Sequence, residues 1–450
     1  MEFSRYPGVL DVTRRTGHLF RVQNLIESVE MKYFAEACLS FCFSLLLAIP
    51  VNAQFSIQVE IGDHARENTP VKVILDSQEA ILANLAEVTF NGQQIQGQIT
   101  ELGLESLREL GKEADPTTQR ELHFIVPKWP AETKLEATVS FGLSGKKDVS
   151  GFQFQDKEGL YTDVLYEDRP VMRYMYEALD TSSPERIGET YKVYHHVYDP
   201  TGERFVTKGP GGLFPHHRGL FYGFNKISYT VDGQSMSADI WHCRNGESQA
   251  HVEVCSQVGG PVLGRHLLKL EWKGRDGKPF ATELRELTAY NVEGGVLLEF
   301  ASKLSSQVGE IKLAGDPQHA GFQFRGSQEI PDKTAAQTYY VRPDGKGQPG
   351  AFRNWPGNKE HVNLKWNALC FVLGGKRLTC CYLDHPENPK ESRFSERNYG
   401  RFGSYFETTV TEEKPLQLNY RIWLQYGEMS VADVDKFSRD FVTPPNASSK

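Results

Sequence analysis

Several absences narrow what this chain can do. It has no block of consecutive lysines and arginines, and its formal charge of −8 is modest for 450 residues. That balance argues against nucleic acid as a partner. Its longest markedly apolar run, residues 37–49, covers only 13 positions, too few to cross a hydrocarbon layer roughly 30 Å thick. No stable membrane span is expected. There is no HExxH, no P-loop, no G-x-S-x-G and no paired-cysteine zinc spacing, so the motif-bearing hydrolases, nucleotide binders and zinc modules find no support. Strands do not alternate with helices, which argues against Rossmann and TIM architectures. No internal repeat or low-complexity segment occurs.

The apolar run has the right length for a signal-peptide core. Met31 opens MKYFAEACLSFCFSLLLAIPVNAQ, Lys32 supplies a small charged start, and Val51-Asn52-Ala53 suits a signal-peptidase site. Residues 31–53 are therefore expected to be a signal peptide cleaved near Ala53, giving a periplasmic or secreted protein. Glu36 weakens the charged region, and a buried helix is the competing reading. Residues 1–30 are polar and are read as an upstream mis-start or a disordered extension. Of seven cysteines, five follow the expected signal. An exported setting permits a disulfide such as Cys243 with Cys255 but does not require it. Cys380 and Cys381, adjacent in a strand, should face opposite ways and be buried thiols.

What is present is strand after strand. Residues 54–150 hold FSIQVEI, VKVIL, EVTF, ELHFIVP and LEATVSFGL, broken by Asn-Gly and Pro, the pattern of a small immunoglobulin-like β-sandwich. ESLRELGKEADPTT reads as a short helix and loop inserted in it. Residues 151–450 continue with VMRYMYEAL, GLFYGFNKISYTVDG, HLLKLEWKGRDG, GVLLEFASKL and LQLNYRIWLQYG, joined by β-turn chemistry. A large antiparallel β-sandwich is the simplest arrangement, so the fold class is all-β. A galactose-mutarotase-like (aldose-epimerase-like) form is one version of it, which the sequence does not separate from others. Near the end, Ser430 and Asp433 read as the cap of a short C-terminal helix bringing Val431, Val434, Phe437 and Phe441 to one face.

Four segments carry chemistry. The first is GPGGLFPHHRGLFYGFNKI, with His216, His217 and Arg218 at a glycine-rich approach to an aromatic strand. Two imidazoles and a guanidinium are costly to bury without partners. If extended, this triplet puts His216 and Arg218 on one side and His217 on the other; a hydrogen-bonded pair organising a turn is the plainer alternative. The second is Asp239-Ile-Trp241-His242-Cys243, read as a strand with Asp239 and Trp241 on one face and His242 opposite. His251 and Glu253, spaced to share a face, could orient each other or hold a metal. The third is His319-Ala-Gly-Phe-Gln-Phe-Arg325. The fourth is Asp384-His385-Pro-Glu-Asn388-Pro, followed by Tyr399 and Arg401; here a packed turn is the plainer alternative.

Aromatic faces with arginine, aspartate and histidine suit a sugar site, with a histidine as general acid or base. The same set suits a histidine-rich metal site, since imidazole binds Cu, Fe, Ni or Zn. Expected catalytic residues are His216, His217, Arg218, Asp239, His242, Asp384 and His385. Expected substrate-binding residues are Trp241, His319, Arg325, Asn388, Tyr399 and Arg401. No residue is assigned as a metal ligand and no cofactor is required by the sequence, although a histidine-bound divalent metal is open.

PHHRGLFYGFNKI, DIWHC, HAGFQFR, LDHPENPKESRFSERNYGRFG and YRIWLQYGE together resemble the PmoA-like family, a domain of unknown function nominally called "methane oxygenase PmoA", over roughly residues 165–430. Many members carry another histidine two positions before the first of the pair, where this chain has Phe214. Members are commonly exported bacterial proteins of polysaccharide degraders. The resemblance thus implies a carbohydrate-active hydrolase or lyase acting on a small-molecule or polysaccharide substrate. A metal-dependent oxygenase, as the family's name suggests, and a non-catalytic carbohydrate-binding or cell-surface module are the alternatives.

Overall fold

Alternating burial sets the first sheet. In Arg66–Asp76, Val71, Val73 and Leu75 are buried between partly exposed neighbours, the period-two signature of a strand with one face on a core. The computed structural model describes residues 54–77, 81–142 and 150–449. The expected extension 1–30, the signal peptide and its cleavage point lie outside the described residues, as does 143–149, beside the boundary placed near 150. The first sheet runs Arg66–Asp76, Gln119–Trp129, Gln93–Thr100, Leu85–Phe90, Lys134–Phe141, Gln54–Glu60 and Asn446–Ser449. Its edge strands meet, for Ser449 Oγ donates to Ile74 O at 3.3 Å. The final described strand therefore returns to the first sheet. The expected inserted helix is Leu104–Leu110.

Two larger antiparallel sheets form the sandwich. One has eight strands, ordered from Arg393–Arg397 and Arg401–Tyr405 through Ala320–Arg325, Leu220–Phe224, Tyr194–Val197 and Arg169–Met175 to Tyr161–Tyr166 and Phe152–Lys157. The other has nine and includes Val296–Ser306, Leu416–Tyr426, Lys376–Asp384 and Trp366–Leu373. Aromatic rings bind the facing surfaces: Phe322 lies 4.3 Å from Phe300 and 4.9 Å from Tyr420 between ring centroids. Such pairs add to the area they bury. The fold is all-β with a large antiparallel sandwich, as expected.

Cys380 enters the core between the sheets, and Cys381 the separate core on the far face of the nine-stranded sheet. The helix Val431–Val442 covers that far face, with Phe437 stacked on Trp423 at 4.5 Å. Its start has the expected capping box, Ser430 Oγ accepting from Asp433 N while the Asp433 carboxylate accepts from Ser430 N. Among the described cysteines no disulfide forms; Cys243 and Cys255 are both free. Cys243 is instead buried in a turn, its thiol against Ile240 O.

Candidate functional site

Four neighbouring strands of the eight-stranded sheet send Leu220, Tyr222, Phe322, Phe324, Phe394 and Phe402 into the core. The alternate positions face outward. Register then sets Gly223 opposite Gly321, Gln323 opposite Gly403, and Arg325 opposite Arg401. Gly321 has φ +80°, and a Cβ there would lie 2.0 Å from Ser404 O. Only glycine fits this position, and across from it Gly223 leaves room for the 239–242 loop, whose Ile240 O would lie 3.3 Å from a Cβ there.

Three loops meet beside these strands, and the first two are turns where the sequence suggested extension. His217 N donates to Phe214 O at 3.0 Å, with Phe214 at φ +55°. Because 214–217 turns, the face alternation expected for His216–Arg218 is not observed. His216 and His217 stay together, 4.3 Å between ring centroids, and it is Arg218 that points away. Its guanidinium donates to Glu189 O (2.8 Å) and Gly188 O (2.7 Å), at the end of helix Pro184–Thr190. The second loop is also a turn: Asp239 Oδ1 accepts from Trp241 N and His242 N. A turn brings positions three apart onto one side. His242 therefore lies with Asp239, correcting the opposite-face reading, and its Nδ1 stands 2.8 Å from Asp239 Oδ2. The third loop repeats the device: Asp316 caps its turn through Gln318 N, and His319 Nδ1 lies 2.9 Å from Asp316 Oδ1.

The three loops meet at one point. His216, His242 and His319 each offer a ligand atom within 4.8 Å of the others. His217 adds a fourth ring, 5.6 Å from His319 between centroids. Trp241 is fully buried beneath them, 5.7 Å from His217 and 4.6 Å from Phe221. Tyr399 lies 6.4 Å from His217, nearly parallel to it, and Phe214 lies 5.1 Å from Tyr399.

Burial and neighbouring cations hold His216 and His217 neutral. Desolvation, then Lys192, pulls His216 down to about 2; desolvation, then Arg401, pulls His217 well below the usual range. For Asp239 and Asp316, burial works upward but is outweighed by hydrogen bonding, chiefly to His242 and His319, so both carboxyls are held below their usual value. With Nδ1 of His242 and His319 tied to carboxylates, Nε2 is the nitrogen left free on each. Carboxylate–histidine pairs of this kind orient metal ligands, and three imidazoles suit Zn, Cu, Fe or Ni. Both nitrogens of His217 and Nε2 of His216 are buried with no hydrogen-bond partner, whereas buried polar atoms are normally paired.

Of the residues singled out from sequence, His216, His217, Asp239, Trp241, His242, His319 and Tyr399 are thus brought together. Arg325 and Arg401 stand beside them in the strand row. Asp384, His385 and Asn388 form a different cluster. Asp384 accepts from Asn388 Nδ2 (2.7 Å) and Ser392 Oγ (2.9 Å) and pairs with Lys390, while His385 packs on Phe441. His251 and Glu253 are separated by a strand irregularity; one contacts Tyr174 and the other Lys269. Sequence reading missed Asp316 and Lys192, whose Nζ donates to His216 O (2.7 Å) and Trp241 O (2.6 Å) and ties two of the loops. Asp316 had a signal, since Asp-x-x-His occurs at both 239–242 and 316–319.

No curated protein matches this sequence. Among solved structures, the chain matches a protein in glycosyl hydrolase family 38 from Enterococcus faecalis at 8% identity and a TM-score of 0.41, covering 89% of this chain and 48% of that one. It also matches a GalM/aldose epimerase homologue from C. elegans at 9% identity and a TM-score of 0.26, covering 62% of this chain and 99% of that one. The chain spans about half the length of the first. A family model matches residues 161–439, all three histidine loops included, and the chain belongs to that family, the family of unknown function DUF6807.

Proposed function

We propose that this chain is an exported, metal-dependent enzyme whose centre is His216, His242 and His319. The observation that carries the reading is the convergence of three imidazoles, two of them braced at Nδ1 by Asp239 and Asp316. Three protein ligands are the catalytic rather than the structural pattern, because a position remains for water or substrate. Side-chain exposures of 11% for His242 and 24% for His319 leave the centre within reach of solvent. A bound metal would supply Lewis acidity or redox chemistry; the chain supplies orientation through the two aspartates and a dry wall through Trp241 and Tyr399.

The metal reading is favoured over metal-free acid–base catalysis by the same histidines. An acid or base works best with a pKa near the working pH, and burial holds His216 and His217 far below it. Carbohydrate is the proposed substrate class, on the strength of the aromatic, arginine and aspartate lining; hydrolysis or elimination is the proposed reaction type. Export rests on residues 31–53 and is tested by sequencing the N-terminus of secreted protein, where a first residue other than one near Gln54 removes it.

Elemental analysis tests the centre. Protein purified without added metal, or incubated with Zn, Cu or Fe and desalted, should hold about one ion per chain, and His242→Ala and His319→Ala should lose it. Failure of the wild type to retain any of the three ions overturns the reading.

A further inference from the structure

Five buried guanidinium groups among the described residues are answered by carboxylates. Arg66 faces Asp440, Arg265 Glu121, Arg285 Glu283, Arg342 Glu396 and Arg421 Glu299. In Arg285, Nε and Nη2 form a fork on the two Glu283 oxygens, both at 2.8 Å; Arg173 makes the same fork on Asp163 at 2.8 and 2.7 Å. Three others have no carboxylate partner among the described residues: Arg218 gives its Nη groups to the carbonyls of Glu189, Gly188 and Pro215, with Nε unpartnered, and points away from the histidines. That leaves Arg325 and Arg401. They are 1% and 0% exposed, sit opposite one another in the strand row, and have no ion pair among the described residues. Arg325 spends Nη1 on Gly326 O and Tyr399 O, while Nε and Nη2 have no partner. Arg401 donates to Pro317 O, Gln323 Oε1 and Ser395 Oγ, and its Nε has no partner.

The surroundings add charge of the same sign. Arg397 lies opposite Arg401 on the other side of the row. Lys208, buried against Gly209 O and His217 O, is drawn down to about 7 by burial and then by Arg325 and Arg218. Uncompensated buried cations are costly, and a fixed fork of two donors matches a carboxylate in shape.

We propose that Arg325 and Arg401 anchor a carboxylate of the substrate, with the Tyr399 ring and His217 between this anchor and the three-histidine centre. The Arg325 guanidinium lies 5.0 Å from the Tyr399 ring centre, and that ring faces His217. The cover over this end is residues 210–215, every one exposed, with Phe214 laid against Tyr399 and His217. Gly211 and Gly212 have positive φ within it. The substrate is then a sugar acid or related hydroxy acid rather than a neutral sugar. This names the substrate class for the metal centre proposed above and rests on it.

Paired probes test the anchor by calorimetry: galacturonate against galactose, and gluconate against sorbitol, each pair differing in its carboxylate. Inorganic phosphate is the third arm. Wild type loaded with metal should bind at least one acid about tenfold or more tighter than its neutral partner. Arg325→Gln should abolish that preference while keeping its metal; Arg401→Gln does the same service should the first variant fail to fold. Acids bound no better than their neutral partners, an unchanged preference in the variants, or phosphate bound more tightly than either acid overturns the proposal. Repeating the series on chelator-treated protein separates the two readings. A carboxylate preference in protein that never holds metal keeps the anchor and removes the metal centre; stoichiometric metal without the preference does the reverse.

Discussion

His242 Nδ1 stands 2.8 Å from Asp239 Oδ2, three residues before it in the same turn. The third loop reproduces this with His319 and Asp316, and Asn225 Nδ2 in turn holds the other Asp316 oxygen at 2.8 Å. Each aspartate both caps the turn and fixes the imidazole, so the ring is aimed before anything binds.

Asp316→Asn should therefore weaken metal binding by roughly 10- to 100-fold, since it removes the charge that orients and enriches His319. Competition against a chromophoric chelator measures the affinity. Unchanged affinity with a normal melting curve would show that the pair only shapes the turn.

Glu396 should give the protein an acid limb. Burial works to raise its pKa, but His361 and Arg342 outweigh it and hold the carboxyl at about 2. A carboxyl depressed in the folded state stabilises it above the unfolded pKa of about 4.5, and that contribution is lost as pH falls from there toward 2. The amount is roughly 3 kcal/mol. Urea unfolding between pH 7 and pH 3 should show about 2 kcal/mol of this loss, and Glu396→Gln should flatten the profile.

Gly321→Ala should cost roughly 3 kcal/mol by introducing a side chain at positive φ and against Ser404 O. It should also disturb the loop that begins at His319's turn. Chemical denaturation together with metal titration reads both effects; a stable variant with normal metal affinity would contradict the close packing described at Gly321.

Phe322→Ala should destabilise by about 3–5 kcal/mol, because the ring fills the space among Phe300, Tyr382 and Tyr420. Metal binding, measured below the new melting temperature, should survive. A loss under 1 kcal/mol would mean the sandwich core is not organised around this ring.

Much of the architecture was legible because its signals are local. Period-two burial marks the strands, and the Ser430–Asp433 box marks the last helix. The pair Cys380 and Cys381 divides between two cores as adjacent strand residues must. The misreadings came from one source, the assumption of extended backbone at 216–218 and 239–243. Short turns capped by a side chain reverse the faces that alternation assigns, so His217 came in, Arg218 went out, and His242 joined Asp239. The repeated Asp-x-x-His was there to be seen, but it acquires meaning only when both copies arrive at one place.

Composition and periodicity, acting through backbone hydrogen bonding and burial, determined by themselves that this chain folds as stacked β-sheets and that His216 and His217 would lie where a loop meets a strand. Which histidines meet was decided by the tertiary structure alone. His216, His242 and His319 are separated by 26 and 77 positions, and no local energy term links them; strand order and register bring their turns together. The same register left Asp384 and His385 in a cluster of their own and set Arg325 beside Arg401, because a sheet fixes neighbours by pairing and not by distance along the chain.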